Sequence, residues 1–283
     1  MTTIAVLGMG LLGSGFVENL LSLGHTVQVW NRTASKCAPL VEKGALAAAT
    51  PADAVRGVDR VHLVLRADDA VDSVIEQLRP GLSDGTPILD HSTNLPARVA
   101  TRFEVLRSAG VRYLHAPVFM APRNAQAATG LMLIAGPKED VDALRPALET
   151  MTGTVTHMGE RPDKAAAVKI IGNGMLVMLS AAMRDLFAIG KNADVSPEEI
   201  IGLFETFSPS PAGMGQRALR MKGQPASFEL TMARKDVQLM IDTAGADSLH
   251  LLPVIAQVME QGIADGHGAA DYTAVFHPDA VRS

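Results

Sequence analysis

Residues 4–13 read Ile4-Ala5-Val6-Leu7-Gly8-Met9-Gly10-Leu11-Leu12-Gly13, a short apolar run leading straight into Gly-x-Gly-x-x-Gly. The run has the length and composition of a buried strand. The glycines fall where such a strand turns directly into a helix. The first permits the tight turn, the second lets backbone amides approach a pyrophosphate, and the third allows close helix–strand packing. Helical apolar spacing continues from Leu11 to Leu23. The start of that helix therefore offers free N–H groups and a positive dipole end to an anion. Gly8, Met9, Gly10, Leu11, Leu12 and Gly13 are accordingly candidate cofactor-binding residues. Tight turns without ligands also use glycine, so the pattern gains its force from its place beside the first strand of a strand–helix–strand unit.

Outward from this stretch, apolar runs predict further strands at Val27–Trp30, Val61–Leu65, Ile88–His91, Tyr113–Pro117, Leu131–Ala135 and Val155–Met158. Between most of them lie helical patterns, at Ala70–Leu78, Ala97–Ala109 and Val141–Thr150. Such alternation predicts an α/β fold with a Rossmann-type, doubly wound, mostly parallel sheet. After Gly159 the strand-like runs give way to helical stretches at Pro162–Asn192, Pro197–Phe207, Ala233–Gly245 and Pro253–Asp265. Ser196 before Pro197-Glu198-Glu199 is a good helix start, with serine at the cap and proline in the first turn. The expected organisation is a dinucleotide-binding domain over 1–160 and an all-α domain over 161–283, joined by a long helix.

A length of 283 residues suits two ordinary domains. With 47% hydrophobic and 19% charged residues, the chain is expected to pack a core, not to remain disordered. The net charge of −5, without a basic tract, argues against a nucleic-acid partner. Cys37 is the single cysteine, which excludes an intrachain disulfide and a thiolate cluster. The histidines at 62, 115, 157, 250, 267 and 277 show no metal-ligand spacing, so no metal site is expected. The most apolar stretch, Val168–Met183, is interrupted by Lys169, Asn173 and Ser180 and falls short of the roughly 20 residues of a membrane helix. With a strand beginning at Ile4 and no leader ahead of it, a cytoplasmic protein without a membrane partner is expected.

At the end of the second strand, where NAD enzymes place an acidic residue for the ribose hydroxyls, the sequence is Asn31-Arg32-Thr33. No carboxylate repels a 2′-phosphate there, and the forked donors of Arg32 can pair with one. Asn31, Arg32 and Thr33, assisted by Lys36, point to NADP(H); the opposing reading is a solvated arginine in a loop.

The helix from Ala165 to Met183 is apolar almost all round, yet Lys169, Asn173 and Ser180 fall on one stripe, with Arg184 near it. A buried ammonium is costly, which makes Lys169 a candidate proton donor or acceptor. The alternative is a lysine that snorkels to solvent. Asp90-His91-Ser92 contains the residue types of a hydrolase triad, but consecutive strand residues point to opposite faces and form no relay.

Taken together these stretches resemble the β-hydroxyacid dehydrogenase family, which includes 3-hydroxyisobutyrate dehydrogenase, tartronate semialdehyde reductase and glyoxylate/succinic semialdehyde reductases. The resemblance spans nearly the whole chain. It rests on residues 8–13, on Asp90-His91-Ser92-Thr93-Asn94-Leu95-Pro96, on Ala116-Pro117-Val118, on Lys169-Ile170-Ile171-Gly172-Asn173, on Lys235-Asp236-Val237, and on the Gly/Asp pattern from Gly266 to Asp271. The resemblance implies that Lys169 is the general acid/base, passing a proton to or from the substrate oxygen. It implies that Asn173 holds the substrate and orients the lysine. It places Ser92, Thr93 and Asn94 beside the nicotinamide and the substrate carboxylate, and Lys235 and Leu65 at the cofactor. The implied reaction interconverts a 3-hydroxy acid or alcohol and its aldehyde or ketone with NADP(H), in a homo-oligomer, dimer or tetramer.

Two positions depart from the family pattern. Phe119-Met120-Ala121 stands where Ser-Gly-Gly commonly holds the substrate carboxylate, so these three residues suggest a larger or less polar carbonyl compound. Arg66 stands where proline is common, and either meets the cofactor phosphates or supplies the missing carboxylate anchor. Two other readings stay open. One is an NADPH-dependent imine reductase, which the apolar Phe119 and Met120 would suit but which generally lacks the lysine. The other is a non-catalytic NADP(H)-binding sensor.

Overall fold

In the computed structural model, residues 2–192, 194–207, 209–221, 223–244 and 251–276 are described. His250, His277 and the side chain of Arg184, all noted in the sequence, lie outside the described residues. The chain divides into two compact units, Met1–Lys169 and Ile170–Ser283, whereas the sequence pattern places the join near residue 160.

In the first unit, β1 (Thr3–Leu7), β2 (Thr26–Trp30), β3 (Leu46–Ala47), β4 (Arg60–Leu63), β5 (Ile88–Asp90) and β6 (Tyr113–His115) form a parallel sheet of order β3-β2-β1-β4-β5-β6. The remaining strands, β7 (Val118–Phe119), β8 (Leu131–Ile134) and β9 (Thr154–His157), form a second sheet, antiparallel between β7 and β8 and parallel between β8 and β9. All seven expected strands form. The two-residue strands β3 and β7 are additions that apolar runs could not reveal.

At the centre of the six-stranded sheet β1 is buried on both faces, because Ile4-Ala5-Val6-Leu7 is apolar at successive positions, not at alternate ones. Ile4 and Val6 pack into one core with Phe16, Val17 and Leu20, while Ala5 and Leu7 pack into another with Val61, Leu63 and Ile88. Helices α1 (Leu11–Ser22), α2 (Ala38–Val41), α3 (Pro51–Ala54), α4 (Asp68–Leu78), α5 (Pro96–Ser108), α6 (Pro122–Gln126) and α7 (Lys138–Glu149) belong to this unit. Of these, α1 and α6 approach closely because residue 15 is glycine: a Cβ there would lie 2.9 Å from Ala125 Cβ and from the Pro122 carbonyl oxygen.

Helix α8 (Lys164–Asn192) starts in the first unit and continues into the second. Its window Lys164–Ala181 is long and apolar enough to cross a membrane by length and composition alone, and half of it is buried inside the protein. The second unit adds α9 (Pro197–Phe207), α10 (Pro209–Arg220), α11 (Leu230–Ala244) and α12 (Leu252–Gly262). Among its described residues the extended pairing is one isolated bridge, Glu229 with Asp271. Ser196 caps α9 reciprocally: its Oγ accepts from the Glu199 N–H at 3.2 Å, and Glu199 Oε2 accepts from the Ser196 N–H at 2.8 Å. The Gly266–Asp271 stretch forms a turn with Gly266 at φ +89°, followed by a 3-10 turn at Tyr272–Phe276.

Candidate active site

Three glycines in the turn after β1 do different things. Gly8 has φ +109°, and a Cβ there would lie 2.1 Å from the Val64 carbonyl oxygen; at Gly13 it would lie 1.9 Å from the Gly8 carbonyl oxygen. Neither position accepts a side chain. A Cβ at Gly10 would meet nothing within 4 Å, so this side of the turn is open. Gly10 also caps α1 without any side-chain hydrogen bond, and the Ser14 N–H is taken up by the Gly10 carbonyl at 2.9 Å. The amides of the first helical turn lack intrahelical acceptors, as at any helix start. An open glycine face backed by such amides fits the pyrophosphate of a dinucleotide.

The Met9 side chain is buried in the core, and its N–H donates to Asn31 Oδ1 at 3.0 Å. Asn31 Nδ2 donates in turn to the Thr33 carbonyl at 2.9 Å. Asn31, expected at the ribose, thus ties the glycine turn to the loop after β2. Leu12 packs partly buried against the core and Leu11 is exposed. Arg32, Thr33 and Lys36 are all exposed, and among the described residues no carboxylate pairs with Arg32.

A second group surrounds the loop after β5. Ser92 is buried and its Oγ accepts from the Leu65 N–H at 2.9 Å, which joins the loop after β4 to the loop after β5. Asn94 is buried too, with Nδ2 donating to Asp90 Oδ2 at 2.7 Å. Thr93, between them, remains partly exposed, and Arg66 is exposed. Of the trio expected at nicotinamide and substrate, two side chains therefore shape the loop and one is presented by it.

What holds this loop was not read from the sequence. The fully buried Asp90 accepts from the Ser92 N–H at 2.9 Å and from the Tyr113 hydroxyl at 2.8 Å. Arg102, also buried, donates to Asp68 Oδ1 at 2.8 Å, to Asp72 Oδ1 at 2.5 Å and to the Tyr113 hydroxyl at 3.3 Å, and lies 3.8 Å from Asp90 Oδ2. Asp68 Oδ2 accepts from the Leu95 N–H at 2.9 Å. Burial and the neighbouring Asp90 push the Tyr113 phenol well above its ordinary range. A signal existed: Arg102 falls on the apolar stripe of α5 with Val99, Phe103 and Leu106, where an arginine needs a buried partner.

On the opposite face of the sheet, Arg60 Nε donates to His62 Nε2 at 3.0 Å, His62 Nδ1 lies 2.8 Å from His91 Nε2, and His91 Nδ1 lies 2.6 Å from the Ala116 carbonyl oxygen. Burial drives the His62 pKa well below its ordinary value and that of His91 to about 4. The three side chains form a buried hydrogen-bonded chain that no spacing in the sequence indicated. Asp90 and His91 do point to opposite faces, with separate partners, and form no relay.

Lys169 closes the first unit. Its residue exposure is 9%, so it does not snorkel, and its Nζ lies 4.2 Å from the centroid of the Phe119 ring. Phe119 and Met120 are each partly buried, as is Ala121, whose N–H donates to Asn124 Oδ1 at 2.9 Å. In the second unit, the buried Asn173 donates from Nδ2 to Asp236 Oδ2 at 2.6 Å, and Lys235 Nζ lies 2.7 Å from Asp236 Oδ1. Ser180, further along the polar stripe, donates to the Leu176 carbonyl at 2.9 Å and lies 3.1 Å from the Tyr272 hydroxyl.

Comparison with known proteins agrees with this architecture. The family model for the NAD binding domain of 6-phosphogluconate dehydrogenase matches residues 3–159. The "uncharacterized oxidoreductase YfjR" of Bacillus subtilis (strain 168) is 30% identical over 285 residues, covering 96% of this chain and 98% of that protein. The 3-sulfolactaldehyde reductase of Escherichia coli (strain K12) is 28% identical over 297 residues, covering 100% and 97%. Among solved structures, 3-hydroxyisobutyrate dehydrogenase of Mycobacterium tuberculosis with L-serine superposes with a TM-score of 0.85 at 23% identity, over 100% of both chains.

Proposed function

The chain belongs to the β-hydroxyacid dehydrogenase family, and from that premise we propose that it is an NADP(H)-dependent oxidoreductase interconverting a hydroxy acid or alcohol and its aldehyde or ketone, with Lys169 as general acid/base. The observation that carries this reading is a lysine buried on an apolar helix, with its ammonium held inside the protein. A bound nicotinamide supplies or takes up the hydride. Lys169 gives a proton to the carbonyl oxygen in reduction and recovers it from the hydroxyl in oxidation, so oxidation needs the neutral amine and favours higher pH. Thr93 is presented to the substrate by the loop that Ser92 and Asn94 shape.

For the cofactor, Gly8, Gly10, Gly13 and the first amides of α1 hold the pyrophosphate, and Arg32 and Thr33 hold the 2′-phosphate of NADP(H). The absence of a carboxylate at residues 31–33 supports that preference. Phe119 and Met120 favour a carbonyl substrate with an apolar portion, and the name of the Escherichia coli relative supports an aldehyde. Ile171 and Met175, one turn apart on α8, are 70% and 55% exposed, which suits a homo-oligomer.

The test is titration with NADPH and NADH, then turnover on a panel of aldehydes, 3-keto acids, ketones and cyclic imines. Lys169→Ala should lose roughly 10²- to 10⁴-fold in aldehyde turnover while binding NADPH normally. Arg32→Ala should weaken NADPH roughly 10- to 100-fold and leave NADH little changed. Turnover of imines but not aldehydes would establish the imine reductase reading. Tight NADPH binding with no turnover anywhere would establish the sensor reading.

A further inference from the structure

We propose that Phe119 is a positioning residue for Lys169, its ring face seating the ammonium where it must meet the substrate oxygen; this rests on the reading of Lys169 as the general acid/base. The 4.2 Å from Nζ to the ring centroid lies well within the roughly 6 Å over which a ring quadrupole attracts a cation. Both members are internal, Lys169 being 9% exposed and Phe119 partly buried, so water competes weakly for the charge.

The ring is not a loop side chain that happens to lie nearby. Phe119 is a strand residue, paired with Leu131 across the β7–β8 ladder. That pairing depends on Gly130, at φ +104°, where a Cβ would lie 2.9 Å from the Phe119 carbonyl oxygen and 2.8 Å from Met120 Cγ. On its other side the ring joins an apolar cluster with Leu133, Ala135, Ala165 and Val168. Two of those, Ala165 and Val168, stand on α8 itself, just before Lys169. Strand and helix thus fix the ring together, and the helix carries the group it seats.

The chemistry of the pairing suits an acid. A lysine has a flexible four-carbon stem, and orienting it beforehand removes part of the entropy otherwise lost when substrate arrives. A carboxylate would orient the ammonium too, but would hold its protons. A ring face attracts the charge and accepts no proton from it.

The experiment replaces Phe119 with phenylalanines of rising fluorine content, which keep the shape while weakening the quadrupole, alongside Phe119→Leu, Phe119→Tyr and Lys169→Ala. Two readouts are taken on the full chain: kcat and KM for succinic semialdehyde with NADPH, and the NMR position of the Lys169 ε-methylene in protein carrying ¹³C-lysine, assigned through Lys169→Arg. The expected result is an ε-methylene moved upfield by the ring current in the wild type and restored to the ordinary lysine position in Phe119→Leu. With it, kcat should fall in step with fluorination, by roughly 2- to 30-fold at full substitution, with Phe119→Tyr near wild type and NADPH affinity unchanged. A flat fluorine series with an unshifted methylene, while Lys169→Ala still abolishes turnover, overturns this inference alone. Turnover that survives Lys169→Ala, or wild-type protein that reduces neither this probe nor any other aldehyde or ketone of the panel, removes the catalytic reading and this inference with it.

Discussion

The two faces of the six-stranded sheet solve one problem with opposite chemistry. On the α1 face, Arg60, His62 and His91 form a chain of single hydrogen bonds ending on the Ala116 carbonyl. On the α5 face, Asp68, Asp72, Asp90, Arg102 and Tyr113 form a charged network ending on the Ser92 N–H and the Asn94 side chain. Both reach loops at the carboxyl ends of β5 and β6, where open α/β sheets bind ligands. The histidine chain has a fixed direction. Because Arg60 donates to His62 Nε2, His62 must donate from Nδ1 to His91, and His91 from Nδ1 to Ala116, each ring neutral with one donor and one acceptor. The charged network instead holds three carboxylates against one buried arginine. The histidine chain keeps both rings neutral and desolvates a single ion, Arg60, whose pKa burial lowers to about 10, and the charged network avoids dependence on tautomers. Each should fail in its own way.

The largest effect is expected from Arg102→Leu. It would leave Asp68 and Asp90 buried without their cation, a change that typically costs about 3–5 kcal/mol. Chemical denaturation at neutral pH measures it. A loss below about 1 kcal/mol would mean that the carboxylates reach water or take up protons, and the contrast between the faces would collapse.

Next comes His91→Leu, with an expected loss of about 1–3 kcal/mol from the unpaired His62 donor and Ala116 carbonyl. Its pH dependence is more telling. Burial lowers the folded pKa of His91 to about 4, so below about 6.5 the unfolded chain binds the proton that the folded one refuses. The wild type should therefore lose stability as pH falls from about 6.5 towards 4, at up to ~1.4 kcal/mol per pH unit from this ring. His62 and His115, lowered by the same burial, add to the slope. In His91→Leu the slope should be shallower. Asp72 and Asp271, whose folded pKa values are depressed, act in the same direction only below about 4, where their unfolded carboxyls begin to protonate. Unfolding midpoints at pH 7, 6 and 5 thus isolate the histidines.

The two faces also differ in how far the sequence betrayed them. The sheet itself was legible, because short apolar runs such as Ile4–Leu7 alternate with helical patterns. The glycine turn was legible through its spacing, and Lys169 through its intrusion into an apolar helix. Strand β7 has two residues, and α10 opens Pro209-Ser210-Pro211-Ala212-Gly213, which reads as a loop. The networks were hidden for a different reason. Arg102 meets Asp68 across 34 residues and Tyr113 across 11, and His91 meets His62 across 29. Those meetings are set by strand order and register, which local patterns do not carry. The ring of Phe119 over Lys169 belongs to the same class, since the sequence marked both residues for function without pairing them.

The smallest effect, and the sharpest test of the comparison, is Tyr113→Phe. The phenol stands at the junction of the network, donating to Asp90 Oδ2 at 2.8 Å and accepting from Arg102 Nη1 at 3.3 Å. Its removal deletes one hydroxyl and adds no bulk. Asp90 Oδ2 keeps the Asn94 amide at 2.7 Å and Arg102 at 3.8 Å, and Arg102 keeps Asp68 and Asp72. With those partners in place the loss should be about 1 kcal/mol, the ordinary net worth of a hydrogen bond. In a single-file chain like Arg60–His62–His91 no such redundancy exists, so deleting one link costs both neighbours a partner. A Tyr113→Phe loss as large as that of His91→Leu would show the charged network to be a chain as well, with the phenol its indispensable link. A loss near 1 kcal/mol with unchanged NADPH affinity would show that the Ser92–Asn94 loop is held by several bonds at once, as the role proposed for Thr93 at the substrate requires.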